Sequence, residues 1–251
     1  SGSHNVAFGD TALYALTTAQ HCFASGEAAG QSITTGGSNF FLGRLAGRNV
    51  TASSNNVFIG TQAGDGTSGA FSNYNVAIGS NSLSGTLTNG LNTAVGGQAL
   101  VNCTGQGNTG IGYDSGNTTT SGGNITCIGY DAEASSATVS NEITLGNSSV
   151  SSLRCNVQTI SSLSDARDKT DVQELNEGLD FVSRLNPVKF QWQTRDGNGK
   201  DGTYEAGFIA QDLQYVQQQS NADYLGLVMD ENPERLEASY GKLVPILVKA
   251  I

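Results

Sequence analysis

The sequence predicts a mainly β repeat shaft, built as stacked β coils of the β-helix or β-roll kind, followed by a small α+β domain that ends in a coiled-coil helix. A segment of about seventeen residues recurs through the first part of the chain. Of the 33 glycines in 251 residues, 26 lie in residues 1–160. Charged residues number 10 in that part and 24 in residues 161–251. The two parts therefore differ in amino-acid composition, and the boundary between them lies near residue 160.

The repeat is centred on nine glycines, which we call the anchor glycines: Gly9, Gly26, Gly43, Gly60, Gly79, Gly96, Gly112, Gly129 and Gly146. The positions one and three before each anchor are mostly apolar, and the position between them is mostly small. Asn stands four before the anchor in six copies, and Ala or Ser stands three after it in every copy. Because side chains alternate along a strand, the two apolar columns share one face. Each copy thus predicts a short strand with a buried apolar edge, a glycine turn and stacking on its neighbours.

The remaining sequence predicts small helices and strands. Apolar residues at helical spacing predict a helix over 177–185 and another over 211–216. Alternating residues predict strands over 186–193 and 204–210, joined by a turn over 196–202. A stripe at spacings of three and four predicts a terminal helix entering a bundle or coiled coil; its residues are Leu236, Tyr240, Leu243, Leu247 and Ile251.

Composition excludes several classes of function. The net charge is −10 and neither part is basic, which argues against a nucleic-acid partner and a polybasic membrane patch. No apolar run reaches the ~18 residues of a membrane span, so we expect no membrane insertion. The glycine motifs at 64–69 and 105–110 lack the helix that a dinucleotide site requires. With two histidines and no CxxC pair, we expect no metal and no cofactor, and the four cysteines are interpreted as buried thiols.

The copies N-V-A-I-G-S-N-S-L (75–83) and N-T-A-V-G-G-Q-A-L (92–100) resemble the head repeats of trimeric autotransporter adhesins. Repeats of this kind also occur in phage fibre shafts. The resemblance implies three parallel chains around one axis. The few large apolar residues in each copy also favour a homotrimer. We assign residues 1–150 to a shaft of nine repeats.

The C-terminal part closely resembles the intramolecular chaperone domain of endosialidase-type phage tail proteins. The resemblance rests on four blocks: S-D-A-R-D-K (164–169), L-N-P-V-K-F-Q-W (185–192), G-F-I-A-Q-D (207–212) and S-Y-G-K-L-V-P-I-L-V-K-A-I (239–251). It implies a domain that trimerises the preceding fibre and then cuts itself off. The family's catalytic Ser–Lys pair maps onto Ser164 and Lys169, and its scissile bond onto Ser164–Asp165. We assign 151–163 to a linker and 164–251 to this domain.

The chemistry of such a dyad places demands on its surroundings. A serine hydroxyl needs a base, and a lysine is a base only when burial or a positive neighbour lowers the pKa of its amine from about 10.4. We interpret Arg167 as one such neighbour and trimer assembly as a source of burial. Attack by Ser164 on its own carbonyl would close a four-membered ring. Either a neighbouring chain's Ser164 attacks, which we favour, or a shift at Leu163–Ser164 intervenes.

The sequence therefore predicts the distal part of a phage tail fibre or spike, located in the virion tail. Its shaft would touch a glycan or protein receptor on the host surface, and its C-terminal domain would act as a single-turnover Ser–Lys peptidase. Two alternatives stay open. One is a bacterial trimeric surface adhesin that carries the same chaperone at the cell surface. The other is a polysaccharide-degrading tailspike, which requires two carboxylates ~5–10 Å apart.

Overall fold

The computed structural model describes residues 2–66, 72–85, 89–156, 160–195 and 200–251. The chain divides into a repeat unit, Ser1–Asn147, and a C-terminal unit, Ser148–Ile251. The repeat unit is a parallel β-solenoid of about eight turns. The C-terminal unit is a small region of helices and two-stranded sheets that closes with a helix. These two architectures confirm the predicted fold class.

Each copy of the repeat contributes one three-residue strand to a single parallel sheet, in which neighbours in sequence are neighbours in space. The strands are β1 (Val6–Phe8), β2 (Phe23–Ser25), β3 (Phe40–Leu42), β4 (Val57–Ile59), β5 (Val76–Ile78), β6 (Thr93–Val95), β7 (Thr109–Ile111), β8 (Thr126–Ile128) and β9 (Ile143–Leu145). We call each coil a rung and number it by its strand. Pairing is in register, so that Ala24, for example, lies opposite Phe41. Equivalent positions therefore stack into columns along the unit.

The strand face that points into the solenoid is the opposite of the one that we predict from sequence. In strands β2 to β8 the central residue, such as Ala24 or Phe58, is buried, whereas in the end strands β1 and β9 it is not. The flanking residues point outward, and on inner rungs Leu42 and Ile111 are 40% and 41% exposed. A narrow coil has room for one inward side chain per strand, so the apolar columns on either side cannot be buried by the same chain. The predicted buried apolar edge is wrong for the single chain.

The outward residues form what we call the outer apolar face. It comprises Val6, Phe8, Phe23, Ser25, Phe40, Leu42, Val57, Ile59, Val76, Ile78, Thr93, Val95, Thr109, Ile111, Thr126, Ile128, Ile143 and Leu145. All of these residues are half-buried or exposed, and none carries a charge. At a strand spacing of ~4.8 Å, nine rungs give this face a length of roughly 40 Å.

The interior of the solenoid is filled by pairing large residues with small ones. In rungs 3 and 4 the central strand residues are Phe41 and Phe58, both fully buried, and their rings stack with centroids 5.6 Å apart. The position four after the anchor is then glycine, at Gly47 and Gly64. A Cβ at Gly64 would lie 2.4 Å from ring carbons of Phe58. The glycines leave the space that the two rings occupy.

Rungs 5 and 6 fill the same space from the other side. Their central strand residues are Ala77 and Ala94, and Leu83 and Leu100 stand four after the anchor. All four are fully buried. The two leucines keep the left-handed conformation of this position, with φ of 47° and 51°. Left-handed backbone is unfavourable for leucine, so burial of its side chain must offset that strain.

A ladder of buried asparagines links the rungs at the position before each strand. The Asn56 Oδ1 atom accepts the backbone N–H of Asn75 at 2.9 Å, and the Asn75 Oδ1 atom accepts that of Asn92 at 3.0 Å. The same bond recurs from Asn39 to Asn56 and from Asn92 to Asn108. The ladder satisfies backbone groups that burial would otherwise leave unpaired.

The anchor glycines occupy a conformation that suits glycine alone. From Gly9 to Gly129 their φ angles lie between 124° and 136°. A Cβ at Gly79 would lie 2.5 Å from the carbonyl oxygen of Gly96 on the next rung. Both the φ angle and the close approach of neighbouring rungs therefore exclude a side chain at this column.

Besides three short 3-10 helices, the described residues of the C-terminal unit form three α-helices and four strands: α1 (Leu179–Val182), β10 (Val188–Gln191), β11 (Tyr204–Gly207), α2 (Ala210–Gln219), β12 (Val228–Met229), β13 (Glu237–Ala238) and α3 (Val244–Ala250). Strands β10 and β11 pair antiparallel, as predicted, and β12 and β13 form a second antiparallel pair that we did not predict. Residues 196–199 of the predicted turn lie outside the described residues.

The predicted terminal helix over 236–251 is wrong in its extent. Its first part is strand β13, followed by a 3-10 turn at Tyr240–Leu243, and only Val244–Ala250 is α-helical. Pro245 lies in the first turn of α3, where the missing N–H has no helical partner to lose. The apolar residues at three-and-four spacing therefore do not share one helix: Leu236 precedes β13, Tyr240 and Leu243 lie in the 3-10 turn, and Leu247 lies in α3. The coiled coil stays a prediction.

A compact apolar cluster holds the C-terminal unit together. Phe181 of α1, Val216 of α2, Leu227, Leu243 and Ile246 of α3 are its main buried members. The opposite side of α3 is exposed, as the residues Val244, Leu247 and Val248 show. Across the parts of the chain that the structure describes, no helix has the length and apolar character needed to cross a bilayer.

Candidate functional site

The predicted dyad lies on an exposed turn in the C-terminal unit. The chain forms a 3-10 turn over Ala166–Asp168, with Asp165 as its N-cap and Lys169 as its C-cap. The Asp165 carbonyl accepts the Asp168 N–H at 3.2 Å, and the Ala166 carbonyl accepts the Lys169 N–H at 3.2 Å. Asp suits the cap position because its short side chain accepts a backbone N–H of the first turn. The turn folds the chain back on itself between the two predicted catalytic residues.

This turn brings the two predicted catalytic side chains into contact. The Lys169 Nζ atom donates to the Ser164 Oγ atom at 2.6 Å. It also donates to the Ser164 carbonyl oxygen at 3.4 Å. The first distance is within the reach that a general base needs to take a proton from a hydroxyl. The second places the Lys169 amine beside the carbonyl of the Ser164–Asp165 bond. Both residues are exposed in the single chain.

Arg167 does not have the partner that the sequence suggests. Its guanidinium binds the Asp165 carboxylate through two nitrogens, Nε to Oδ1 at 3.0 Å and the terminal nitrogen to Oδ2 at 2.6 Å. These bonds, with the Arg167 backbone N–H, hold the pKa of Asp165 below its ordinary value. The positive charge that we expected to act on Lys169 is matched by Asp165 instead.

The segment that follows the dyad is fastened to the body of the C-terminal unit. The Lys249 ammonium of α3 donates to the Glu174 carboxylate, and the Tyr224 hydroxyl donates to the Glu177 carboxylate. A Cβ at Gly178 would lie 3.2 Å from the Lys249 side chain, so the backbone there passes close to α3. The last helix thus holds the chain five residues after Lys169.

Within the described ranges, the glycine motifs, Gly207 and Trp192 do not form a second functional site. The motif at 105–110 ends inside strand β7, and the one at 64–69 extends beyond the described residues. A Cβ at Gly207 would lie 2.5 Å from the Tyr240 hydroxyl oxygen, which indicates a packing role for this glycine. Trp192 is half-buried against Phe190, with ring centroids 5.2 Å apart.

Among the described residues, the four cysteines and the potential metal ligands provide no second candidate site. Cys22, Cys103 and Cys127 are buried, as predicted, but Cys155 is exposed, so the prediction fails there. Burial raises the pKa of Cys127 to about 12, which makes it a poor nucleophile. The part of the chain that the structure describes contains no group of three or more potential metal ligands among His, Cys, Asp and Glu.

Two features relevant to function were missed at the sequence level. The outer apolar face was assigned to burial within the chain, because the alternation of a three-residue strand does not say which face points inward. The Asp165–Arg167 pair was missed because we considered Arg167 only in relation to Lys169. The spacing of Asp165 and Arg167, with the acid at an N-cap position, is the signal that could have identified the pair.

Comparison with known proteins bears on the C-terminal unit. Residues 164–221 match the family model described as chaperone of endosialidase. Over residues 164–221, beginning at Ser164, this match confirms the predicted resemblance to an endosialidase-type intramolecular chaperone. Searches of curated proteins and of solved structures found no match to the chain.

Proposed function

Because residues 164–221 match the family of endosialidase chaperones, we propose that the chain is the distal segment of a phage tail fibre or spike. In this proposal the repeat unit is the host-attachment shaft. The C-terminal unit drives homotrimerisation and then releases itself by a single Ser–Lys cleavage. The observation that carries the proposal is the 2.6 Å contact between Lys169 Nζ and Ser164 Oγ at the start of the matched segment. The shaft that remains after this cleavage would reside in the virion tail.

The outer apolar face supports the homotrimer. Soluble monomers seldom leave a long uncharged apolar surface in water, and this one spans all nine rungs. A parallel copy of the chain would present the same side chain at the same height, with aromatic rings at rungs 1 to 3 and Thr at rungs 6 to 8. The exposed apolar side of α3 would give the C-terminal unit a second such contact.

Sedimentation velocity tests the trimer. We expect the wild type to sediment as a trimer and Ile78→Lys to dissociate, because a charge would be placed on the outer apolar face of rung 5. Ser80→Lys is the matched control, since Ser80 is exposed on the same rung but lies outside that face. A wild-type monomer, or equal effects of the two substitutions, would contradict the proposed interface.

The cleavage reaction follows from the dyad. In the favoured route the Ser164 Oγ–H bond breaks, its proton passes to a neutral Lys169 amine, and Oγ bonds to the Ser164 carbonyl carbon of a neighbouring chain. The C–N bond then breaks, and Lys169 returns a proton to the departing backbone nitrogen. Water hydrolyses the ester and restores the hydroxyl. Assembly would supply the burial that favours a neutral amine, which links cleavage to correct folding.

Intact mass spectrometry of the purified chain tests the cleavage. We expect wild type to yield a C-terminal fragment, and Ser164→Ala and Lys169→Ala to stay whole. Ser162→Ala, a nearby exposed serine, is the control and should be cut like wild type. Cutting of all variants alike, or no cutting of wild type, would overturn the proposal.

The same measurement separates the two routes. A fragment that begins at Asp165 indicates attack on the Ser164–Asp165 bond, whereas one that begins at Ser164 indicates the shift at Leu163–Ser164. Co-assembly of wild type with Ser164→Ala chains adds a second criterion. If attack occurs between chains, as we favour, the Ser164→Ala chains will also be cut.

The receptor and the alternative identities are tested separately. The carboxylates of Glu133 and Glu142 are held by hydroxyl and backbone N–H groups, and Asp65 by Arg48, which favours attachment over polysaccharide hydrolysis. We therefore expect binding to a host glycan or protein receptor without release of oligosaccharides. Release of oligosaccharides would favour a depolymerase. A membrane-anchor barrel encoded in the same protein would favour the bacterial adhesin.

A further inference from the structure

The contact between Ser164 and Lys169 depends on the shape of the backbone between them. Five residues in extended conformation would separate their Cα atoms by roughly 17 Å, which is beyond the reach of one lysine side chain. The 3-10 turn over Ala166–Asp168 shortens this distance. What holds the turn therefore decides whether the two side chains meet.

Asp165 holds the turn in two ways. Its Oδ1 atom accepts the backbone N–H of Arg167 at 2.9 Å, which is the N-cap bond. Its two oxygens also accept the Arg167 guanidinium in a forked arrangement, with distances of 3.0 and 2.6 Å. A guanidinium matches the geometry of a carboxylate, so the pair fixes direction as well as distance. One carboxylate thus fastens both the backbone and the side chain of Arg167.

Apolar burial gives the turn no support in the single chain. Every residue from 160 to 174 is exposed. Neither Asp165 nor Arg167 uses its side chain to contact Ser164, whereas Lys169 contacts it directly. The hydrogen bonds of the Asp165 side chain therefore act together with the two backbone hydrogen bonds of the turn, donated by the Asp168 and Lys169 N–H groups, to set the geometry of the dyad.

We propose that Asp165 and Arg167 form a positioning pair, which holds the turn so that Lys169 Nζ lies at Ser164 Oγ before cleavage. The proposal rests on the proposed self-cleavage. In it, the charge of Arg167 serves to hold Asp165 and does not act on Lys169. The two side chains determine how often the dyad is correctly formed, and neither side chain takes part in bond making or breaking.

The test is the cleavage rate of full-length chains, followed by intact mass after synthesis. Caps and exposed ion pairs have modest effects, so we expect Arg167→Gln and Asp165→Ala each to slow cleavage about three- to tenfold. Asp165→Asn keeps an N-cap acceptor and should be slowed less than Asp165→Ala. Arg167→Lys keeps the charge without the fork and should recover part of the rate.

A double substitution distinguishes a shared role from two independent ones. If the pair acts as one unit, Asp165→Ala with Arg167→Gln will be no slower than the slower single variant. Independent roles would multiply the two losses. Arg44→Gln, which removes an exposed ion pair with Glu27 in the repeat unit, is the control and should leave the rate unchanged. Sedimentation and thermal midpoints should be unchanged in all variants, because a general folding defect would alter them.

The outcomes separate this proposal from the proposed function. If wild type does not cut, or Ser164→Ala cuts, the self-cleavage itself fails. If wild type cuts, Ser164→Ala does not, and the Asp165 and Arg167 variants cut at the wild-type rate, only the positioning pair is overturned. A rate loss in Arg167→Gln that is fully independent of Asp165 would also overturn it.

Discussion

The repeat unit and the C-terminal unit are stabilised in different ways. In the repeat unit each residue contacts its equivalent about seventeen positions away, in columns of glycine, asparagine and small apolar residues. The C-terminal unit has one apolar cluster and charged contacts between distant residues, such as Glu174 with Lys249. A change in a column therefore disturbs two neighbouring rungs in the same manner. A change in the C-terminal unit disturbs one particular contact.

The largest expected effect comes from removing an interior side chain of one rung and compensating for it with the arrangement found in another rung. Phe58→Ala should destabilise the repeat unit by about 3–5 kcal/mol through the lost ring and the cavity. Adding Gly64→Leu reproduces the alanine and leucine arrangement of rung 5 and should restore much of that loss. Denaturant unfolding of the single and double variants measures both values.

The comparison needs a matched phenylalanine in the other unit. Phe181 is 2% exposed in the core of the C-terminal unit, and Phe181→Ala should also destabilise by about 3–5 kcal/mol. The C-terminal unit has no repeated pattern, so its sequence does not suggest a second substitution that would compensate for Phe181→Ala. If Gly64→Leu worsens Phe58→Ala, the volume exchange between rungs is wrong.

The second effect concerns two glycines. Gly79→Ala would be strained by roughly 1–3 kcal/mol from its φ of 133° alone, with the clash against Gly96 in addition. Gly241→Ala in the C-terminal unit should be neutral or slightly stabilising, because a Cβ there would meet nothing within 4 Å. Thermal unfolding of both variants measures the contrast. Equal midpoints would show that the anchor column tolerates a side chain.

The third effect concerns the asparagine ladder. Asn75→Ala removes the acceptor of the buried Asn92 N–H and should destabilise the repeat unit by about 1–3 kcal/mol. Thr61→Ala, at an exposed position of rung 4, is the control and should change little. Hydrogen exchange at Asn92 gives the most direct measurement, since its N–H should lose protection. Unchanged protection would mean that the ladder is not required.

The smallest effect separates the two units by their response to acid. Burial raises the pKa of Asp65 above its ordinary 3.8, so acidification does not weaken the repeat unit through this group. Hydrogen bonds lower the pKa of Asp165, Glu174 and Asp201 below their ordinary values of 3.8, 4.5 and 3.8. The stability that these three contribute is present above those values and is lost as pH falls through the lowered ones.

The C-terminal unit should therefore loosen first as the pH falls below about 4. Trp192 is the single tryptophan and lies in that unit, so its fluorescence reports the C-terminal unit alone. Hydrogen exchange in strands β2 to β8 reports the repeat unit. Loss of protection there at a higher pH than the change in Trp192 fluorescence would contradict the comparison.

Much of the fold could be predicted because each structural repeat corresponds to a recurring sequence pattern of about seventeen residues. The anchor glycines, and the asparagines four residues before them, identify the turns. Their spacing predicts where each strand lies. The inward face could not be predicted, because both faces of a three-residue strand such as Val57–Ile59 are apolar and the choice depends on the width of the closed coil. The terminal helix was overextended because the spacing of Leu236 and Tyr240 fits a helix, whereas pairing with β12 makes this part a strand.

The candidate site divides in a similar way. Ser164 and Lys169 were identified through a resemblance to a family, and their contact at 2.6 Å is a property of the folded turn. The spacing of Asp165 and Arg167 is a sequence signal for their pairing, but Asp168 also lies within reach of Arg167 along the chain, so the sequence leaves two candidate partners. The three-dimensional turn places Asp165 at the cap and so decides between them.

The alternation of interior volumes limits how this molecule can change its length. A rung is the smallest piece that can be added or removed without breaking the sheet, but the rungs are not interchangeable. Copying rung 5 beside rung 6 would repeat a pattern of Ala77 and Leu83 that already fits its neighbour. Copying rung 4 between rungs 6 and 7 would bring Phe58 into space that the Leu100 side chain now fills against Gly110 and Gly116. Lengthening is therefore possible only at certain junctions.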